Sequence, residues 1–288
     1  MKPKANVGII GGSGLYAMAG LSAVEEVLLN TPFGSPSDAY ILGRLDSVTV
    51  AFLPRHGRGH RLTPSELNYR ANIYWFKMLG VTHLIAVSAV GSLREEIRPL
   101  DIVVADQFFD RTRQRSSTFF GDGLVAHVPF ADPVCGDLSR LLHAAARDAG
   151  ATVHGRGTMV CMEGPAFSTR AESEVYRRMG MDIIGMTTLT EAKLAREAEL
   201  CYGVLALVTD YDCWHAEEAD VSVAAVVENL KQNVSTTRAI LQRVIPRIPA
   251  LGPCPCQDAL QHALMTRRDL IPAETLKRLE PIVGRYYC

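Results

Sequence analysis

The sequence predicts a single α/β domain: a mixed, largely parallel central sheet flanked by helices. Three observations carry this expectation. Short apolar, β-branched runs alternate with helical segments along the whole chain. At 288 residues and 48% apolar composition, the chain can bury a sizeable core. Residues capable of chemistry recur at the C-terminal ends of the strand-like runs, where open α/β sheets place their ligands.

The elements follow in order. Val7 to Ile10 is a first strand that ends in a glycine loop. Ala39 to Leu45 and Val48 to Leu53 read as a hairpin around Asp46-Ser47. Thr63-Pro64-Ser65-Glu66 reads as a helix start, with Thr63 as N-cap, Pro64 in the first turn and Glu66 closing a capping box. That helix is expected to run to Leu79 and stop at Gly80. His83 to Ala89 and Asp101 to Ala105 are buried strands. Asp110 to Pro133 carries no period, and so long an irregular stretch in a compact domain points to a functional or interfacial role. Leu138 to Ala149 is helical, Gly157 to Met162 a strand, Ala171 to Arg178 a helix and Asp182 to Met186 a strand. Thr188-Leu189-Thr190-Glu191 has the form of a second capping box, opening a helix to Leu200. Gly203 to Val208 is a strand, and Val221 to Val244 a long helix ended by Pro246. Residues 1–250 thus form the main domain. Residues 251–288 are a linker and helical tail, expected to pack on the same domain or on a neighbouring subunit.

Composition excludes several function classes. A formal charge of -1 and a pI near 6.7 give no electrostatic case for nucleic acid or an anionic membrane. No apolar run approaches the ~20 residues of a membrane helix. Glycines interrupt the apolar N-terminal stretch that would imitate a signal peptide, so the chain is expected to be cytoplasmic. Seven cysteines in a chain this long make no disulfide scaffold. Cys254-Pro255-Cys256 has no second cysteine pair or histidine cluster at metal spacing, and is expected to be an incidental exposed pair; no metal site is expected.

Four strand ends suggest a site for a phosphate-sized anion. Gly11-Gly12-Ser13-Gly14 turns backbone N–H groups outward and adds the Ser13 hydroxyl. Gly12, Gly14 and Ala17 also match a dinucleotide fingerprint, but no carboxylate follows about 20 residues on, and no Walker lysine is present. Arg55-His56 offers a guanidinium that can grip phosphate through two parallel N–H bonds and an imidazole that can donate one more. Ser88-Ala89 and Thr187-Thr188 end two further strands, the latter opening a helix whose free N–H groups favour anions.

Thr209-Asp210-Tyr211-Asp212 ends the Gly203 strand. Carboxylates at i and i+2 can face one pocket, where mutual repulsion and burial raise at least one pKa, as a general acid needs. A turn carrying two solvated aspartates remains the alternative on these residues alone.

Taken together, these segments resemble the trimeric purine nucleoside phosphorylase and methylthioadenosine phosphorylase family. The resemblance rests on Val7 to Leu15, Arg55-His56-Gly57, Asn68 to Asn72, Gly91 to Ile97, Asp106-Gln107-Phe108 with Asp110-Arg111-Thr112, Glu163-Gly164-Pro165 with Phe167-Ser168, Met186-Thr187-Thr188 and Thr209 to Trp214. It covers roughly residues 5–247, and Asp210, where oxopurine branches carry Asn, points to the methylthioadenosine branch. It implies a purine nucleoside phosphorylase-like fold, a homotrimer, and phosphorolysis of 5'-deoxy-5'-methylthioadenosine to adenine and 5-methylthioribose 1-phosphate. The partners are then a nucleoside and phosphate as co-substrate, with no cofactor.

The resemblance also implies residue roles. Ser13, Arg55, His56, Ser88, Ala89 through its backbone, and Thr187 would hold phosphate. Phe167 would pack on the purine, with Met186 under the ribose and Ile184 nearby. Val223 and Val226 would line the methylthio pocket, while His127 and Leu270 would reach a neighbouring subunit's site. Asp210 would protonate or hydrogen-bond N7, and Asp212 would accept from the 6-amino group. Departures from the family pattern are Ser13 and Ser88 in place of Thr, Gly185 in place of Asn, and Ala166 in place of Arg. Alternatives within this reading are a 6-oxopurine or methylthioinosine phosphorylase, a hydrolytic nucleosidase, and a nucleotide-binding module without catalysis.

Overall fold

Strand residues alternate between two apolar layers, which places the sheet in the middle of the molecule. The computed structural model describes residues 4–12, 14–15, 18–215 and 223–287, with backbone alone at 223–227 and 230. The N-terminal half contributes β1 (Val7–Gly11), β2 (Leu21–Val27), β3 (Tyr40–Leu45), β4 (Val48–Pro54), α1 (Tyr69–Met78), β5 (His83–Ser92), β6 (Ile102–Val103) and β7 (Gln107–Arg111). There follow α2 (Gly136–Asp148), β8 (Val153–His154), β9 (Thr158–Met162), α3 (Arg170–Arg178), β10 (Ile183–Gly185), α4 (Thr188–Glu197), β11 (Cys201–Asp210), α5 (Val223–Val244) and α6 (Ala273–Tyr287).

The strands make one 11-stranded sheet, with the path β2-β3-β4-β1-β5-β10-β9-β7. A branch leaves it where β11 pairs with β5 and β6, and β6 with β8. Pairing is parallel for β1 with β4 and β5, and for β11 with β5. It is antiparallel for β10 against the far end of β5. Mixed pairing follows from the length of β5: His83 to Ala86 run between β1 and β11, the pairing with β11 continues to Gly91 opposite Asp210, and Gly91-Ser92 also meet β10.

The period-2 rule assigns the layers. Ile10, Leu84, Ala86, Val204 and Ala206 join Ile73, Trp75, Leu194 and Leu279 of α1, α4 and α6. Ile9, Ile85, Val87, Leu205 and Leu207 join Leu138, Leu142, Ile240 and Val244 of α2 and α5. Each central strand is therefore buried on both faces, and reads as a continuous apolar run.

Several expectations need correction. The helix expected from Thr63 begins only at Tyr69. Glu66 does accept from the Thr63 N–H and hydroxyl, at 2.9 and 2.7 Å, but this closes a turn. Asn68 is the N-cap, accepting from Ala71 N at 3.1 Å. The irregular stretch from Asp110 retains β7 at its start, an element with no alternating pattern to announce it. β2 was equally silent, because five of its seven residues are exposed. The C-terminal tail packs on this chain's own core through Leu260, Ala263, Ile271, Leu279, Ile282 and Val283. Among the described residues no helix is long and apolar enough to cross a membrane.

Candidate active site

The parallel register brings the glycine loop, Arg55 and Ser88-Ala89 to one edge of the sheet. Gly11 pairs with Pro54, and Arg55 N donates to Gly11 O at 2.9 Å. Ser88 pairs with Ala206 and Ala89 with Leu207 on β11, whose C-terminal end carries Asp210. Ser13 lies outside the described residues, while the adjoining Gly14 carbonyl is held by Arg238 of α5 through Nε and Nη2, at 2.9 and 2.5 Å.

Arg55 corrects the expectation of a free guanidinium. It is buried, and its Nε and Nη2 donate to Glu191 Oε1 and Oε2 at 2.5 and 3.0 Å. Nη1 donates to Val87 O at 2.7 Å and Nη2 also to Ile10 O at 3.3 Å. The two parallel N–H bonds expected for phosphate thus go to Glu191, leaving one Nη1 hydrogen. Glu191 in turn is no capping residue. α4 starts after Thr187 with no side-chain cap, and the Glu191 carboxylate points inward to Arg55 and to the Tyr202 hydroxyl, 3.0 Å away. A buried charge requires a partner, and that requirement outweighs a surface capping bond. Thr188, the expected cap, places its hydroxyl against Met159 Sδ at 2.9 Å, so the Thr187 hydroxyl is left without a capping role.

His56 is also changed. Its Nδ1 lies 2.8 Å from Leu62 O, and its ring stacks on His60 with centroids 4.3 Å apart. A carbonyl only accepts, so Nδ1 carries the proton. Burial, and secondarily the Arg55 and His60 charges, lower its pKa to about 4 against the opposing Leu62 bond. At neutral pH, Nε2 is therefore an acceptor rather than the donor that the sequence suggested.

The aspartates form a pair rather than a solvated turn. Asp212 N donates to Asp210 Oδ1 at 2.8 Å, and the Thr209 hydroxyl donates to Asp210 Oδ2 at 2.7 Å. Asp212 is buried and sits at φ 52°, a left-handed conformation held by the surrounding chain. Burial raises the pKa of both carboxyls. The Asp212 charge adds to the rise at Asp210, while the Thr209 hydroxyl and Asp212 N–H oppose it.

Sequence reasoning missed the residues that hold this pair in place. A Cβ on Gly91 would stand 2.8 Å from Asp210 Oδ1 and 3.2 Å from Ile184 Cγ2, so only glycine leaves room for the carboxylate. Asn229 and Asn233 of α5 donate to Thr209 O and Val208 O, at 2.7 and 3.1 Å. Their i, i+4 spacing toward the end of an apolar strand was the available signal. The 211–215 turn is tied down by Trp214, whose Nε1 donates to Ser92 O at 2.8 Å beneath the Arg177 guanidinium.

Ile184 is buried beside Gly91, and Met186 lies against Gly164, where a Cβ would meet Met186 Sδ at 2.5 Å. Arg115, within the irregular stretch, donates to Met186 O and to Glu163 O. Phe167 follows this turn and is 45% exposed, a large apolar ring on the surface. Val223 and Val226 lie in the first turn of α5, and their side chains are outside the described residues. His127 and Leu270 stand exposed on two segments that pack together, with His127 N donating to Ala263 O at 2.9 Å. Ala166, where relatives of the expected family carry Arg, is exposed, and Gly185 packs near Met159 and Val90.

Known proteins resemble this chain in sequence and fold. The phosphorylase superfamily profile matches residues 6–246. An S-methyl-5'-thioadenosine phosphorylase of Geobacter sulfurreducens is 60% identical over 97% of this chain and 98% of its own length. One from Koribacter versatilis is 55% identical over 99% and 97%. A methylthioadenosine phosphorylase from an antarctic soil metagenomic library superposes with a TM-score of 0.94 at 50% identity, covering 98% of this chain and 99% of that one. An adenosine/methylthioadenosine phosphorylase of Schistosoma mansoni, a mutant in complex with adenine, gives a TM-score of 0.83 at 41% identity, covering 86% and 93%.

Proposed function

The chain belongs to the phosphorylase superfamily, and on that premise we propose that it cleaves 5'-deoxy-5'-methylthioadenosine with phosphate. It is a pentosyltransferase, an S-methyl-5'-thioadenosine phosphorylase, and releases adenine and 5-methylthioribose 1-phosphate. The observation that carries this is the pair of half-buried Asp210 and buried Asp212, joined by the bond from Asp212 N to Asp210 Oδ1, at the same sheet edge as the glycine loop and Arg55.

Breaking the N-glycosidic bond leaves negative charge on the base and positive charge on the sugar. Burial raises the Asp210 pKa, which favours the protonated form that delivers a proton to N7 of the departing adenine. Asp212 accepts from the 6-amino group. An oxo group at that position would face a buried carboxylate, a mismatch of the kind that costs up to about 10⁴-fold. Phosphate attacks C1' from a cup formed by Ser13, Ala89 N–H, Ser88, Thr187 and the remaining Arg55 hydrogen. His56 Nε2 takes the proton-bearing oxygen of hydrogen phosphate, which orients the unprotonated oxygens toward the sugar. Phe167, Ile184 and Met186 contact base and ribose, and Val223 and Val226 the methylthio group. This route uses acid, anion and position, and calls for no cofactor or metal.

The reading includes a cytoplasmic homotrimer acting in methionine and purine salvage. Its support is the exposure of Phe167, His127 and Leu270, which gives a neighbouring subunit apolar and imidazole groups with which to complete the site. Light scattering tests the trimer. Adenine release from methylthioadenosine, with and without phosphate, tests the reaction. Release that is independent of phosphate would falsify phosphorolysis in favour of hydrolysis, and preference for inosine-type substrates would overturn the aminopurine assignment.

A further inference from the structure

Four cysteines that are remote in sequence converge away from the active site. Cys135 is the N-cap residue of α2, Cys201 opens β11, and Cys254 and Cys256 flank Pro255 at the start of the tail. Their four sulfurs all lie within 4.8 Å of one another. Cys135 and Cys254 are 3.5 Å apart, sulfur to sulfur. Cys135, Cys201 and Cys254 are buried and Cys256 is half-buried, which corrects the expectation of an incidental exposed pair.

We propose that Cys135, Cys201, Cys254 and Cys256 form a tetrathiolate site for one zinc ion, fastening the C-terminal tail to the sheet. A tetrahedral zinc with Zn–S bonds of about 2.3 Å sets its ligand sulfurs about 3.8 Å apart, the spacing this quartet approaches. A disulfide would instead need its two sulfurs at about 2.05 Å, whereas Cys135 and Cys254 stand 3.5 Å apart. Here every sulfur neighbours the other three.

The backbone holds the donors in place. Cys135 N donates to Tyr202 O at 2.8 Å, Cys201 N to Thr82 O at 2.9 Å, and Gln257 N to Cys254 O at 2.9 Å. Binding converts Zn²⁺ and four thiols into a doubly negative tetrathiolate and releases four protons. Part of that negative charge falls at the N-terminus of the 13-residue α2, where Cys135 makes no side-chain capping bond and the helix dipole favours an anion. A cavity of about 300 Å³ lined by His83, Gly252, Pro253 and Gln257 adjoins the Cys254–Cys256 segment, and half-buried Cys256 gives the ion a route in.

The site stands at the opposite end of β11 from Asp210, nine residues along the strand, or about 30 Å. Its role is therefore structural. It clamps the linker beside β11 and leaves the chemistry untouched.

The test uses the full-length, untagged chain, kept reduced with a phosphine. Elemental analysis and titration with zinc against a chromophoric chelator should give one zinc per chain. Cobalt in its place should give the intense sulfur-to-metal charge-transfer band of a tetrathiolate. Cys256→Ser and Cys254→Ser should abolish that band and lower the melting temperature, with phosphorolysis at room temperature unchanged. An intact mass lower by four hydrogens in the chain as purified, before the phosphine is added, means two disulfides and overturns the proposal. So does a reduced protein that takes up neither zinc nor cobalt.

Discussion

Glu191 embraces Arg55 through both carboxylate oxygens, at 2.5 and 3.0 Å, in a pair whose side chains are 0% and 4% exposed. The guanidinium that the sequence assigned to phosphate is thereby locked across β1, β5 and α4, and its field rather than its whole fork is offered to the ligand. Removing one partner of a buried pair leaves an uncompensated charge and costs about 3–5 kcal/mol. Glu191→Gln should therefore lower the urea midpoint strongly. Arg55→Met combined with Glu191→Leu should recover much of the stability while the KM for phosphate stays high. Full recovery of phosphate affinity in the double variant would show that Arg55 serves packing alone.

Gly91 and Asp210 make a second tight contact. Gly91→Ala places a methyl 2.8 Å from Asp210 Oδ1, so the carboxylate has to shift. A displacement of about 1 Å at a reacting group can cost about 10²-fold. The expected outcome is a kcat lower by about that factor with a modest change in melting temperature. A fully active Gly91→Ala enzyme would mean that Asp210 need not hold this position.

Asp210→Asn keeps a hydrogen-bond donor for N7 but removes the transferable proton. Turnover of methylthioadenosine should fall by about 10²-fold or more. Burial and the Asp212 charge raise the Asp210 pKa, so the protonated acid survives to higher pH than an ordinary aspartate and is lost as pH rises through its folded value. The wild-type rate should decline on the alkaline side of that value, and the Asn variant should lack that limb. Steady-state profiles of kcat against pH read both.

Glu197 carries a pH effect on stability outside the site. Burial raises its pKa to about 7, against hydrogen bonds from Phe119 N and the Thr118 hydroxyl, both at 2.7 Å. Between about 4.5, where the unfolded chain releases this proton, and about 7, the folded protein binds more protons than the unfolded one. Its contribution therefore falls by about 3 kcal/mol as pH rises across that window and levels off above it. Glu197→Gln preserves both bonds, with its amide NH₂ donating to the Thr118 oxygen, and should flatten the dependence of melting temperature on pH in this range. An unchanged slope would assign the effect to another group.

The chain sequence by itself determined the central strands of the sheet, because each is apolar on both faces and bounded by glycine, proline or a cap; the exposed β2 and part-exposed β7 were not legible in it. It also determined the strand-end chemistry. Gly11-Gly12, Arg55-His56, Ser88-Ala89, Thr187 and the Asp210–Asp212 pair are local motifs, and the parallel register gathers most of them at one edge.

Tertiary structure alone decided who pairs with whom. Glu191 satisfied the local rule for a helix cap, but the desolvation of Arg55, 136 residues away in sequence, outweighed that rule. The donor nitrogen of His56 was assigned by a carbonyl at Leu62. Cys135, Cys201 and Cys254-Pro255-Cys256 are unremarkable as spacings, and became a cluster only when α2, β11 and the tail met. Local sequence records propensities over a few residues, whereas charge compensation and ligand convergence depend on distances that the chain acquires only on folding.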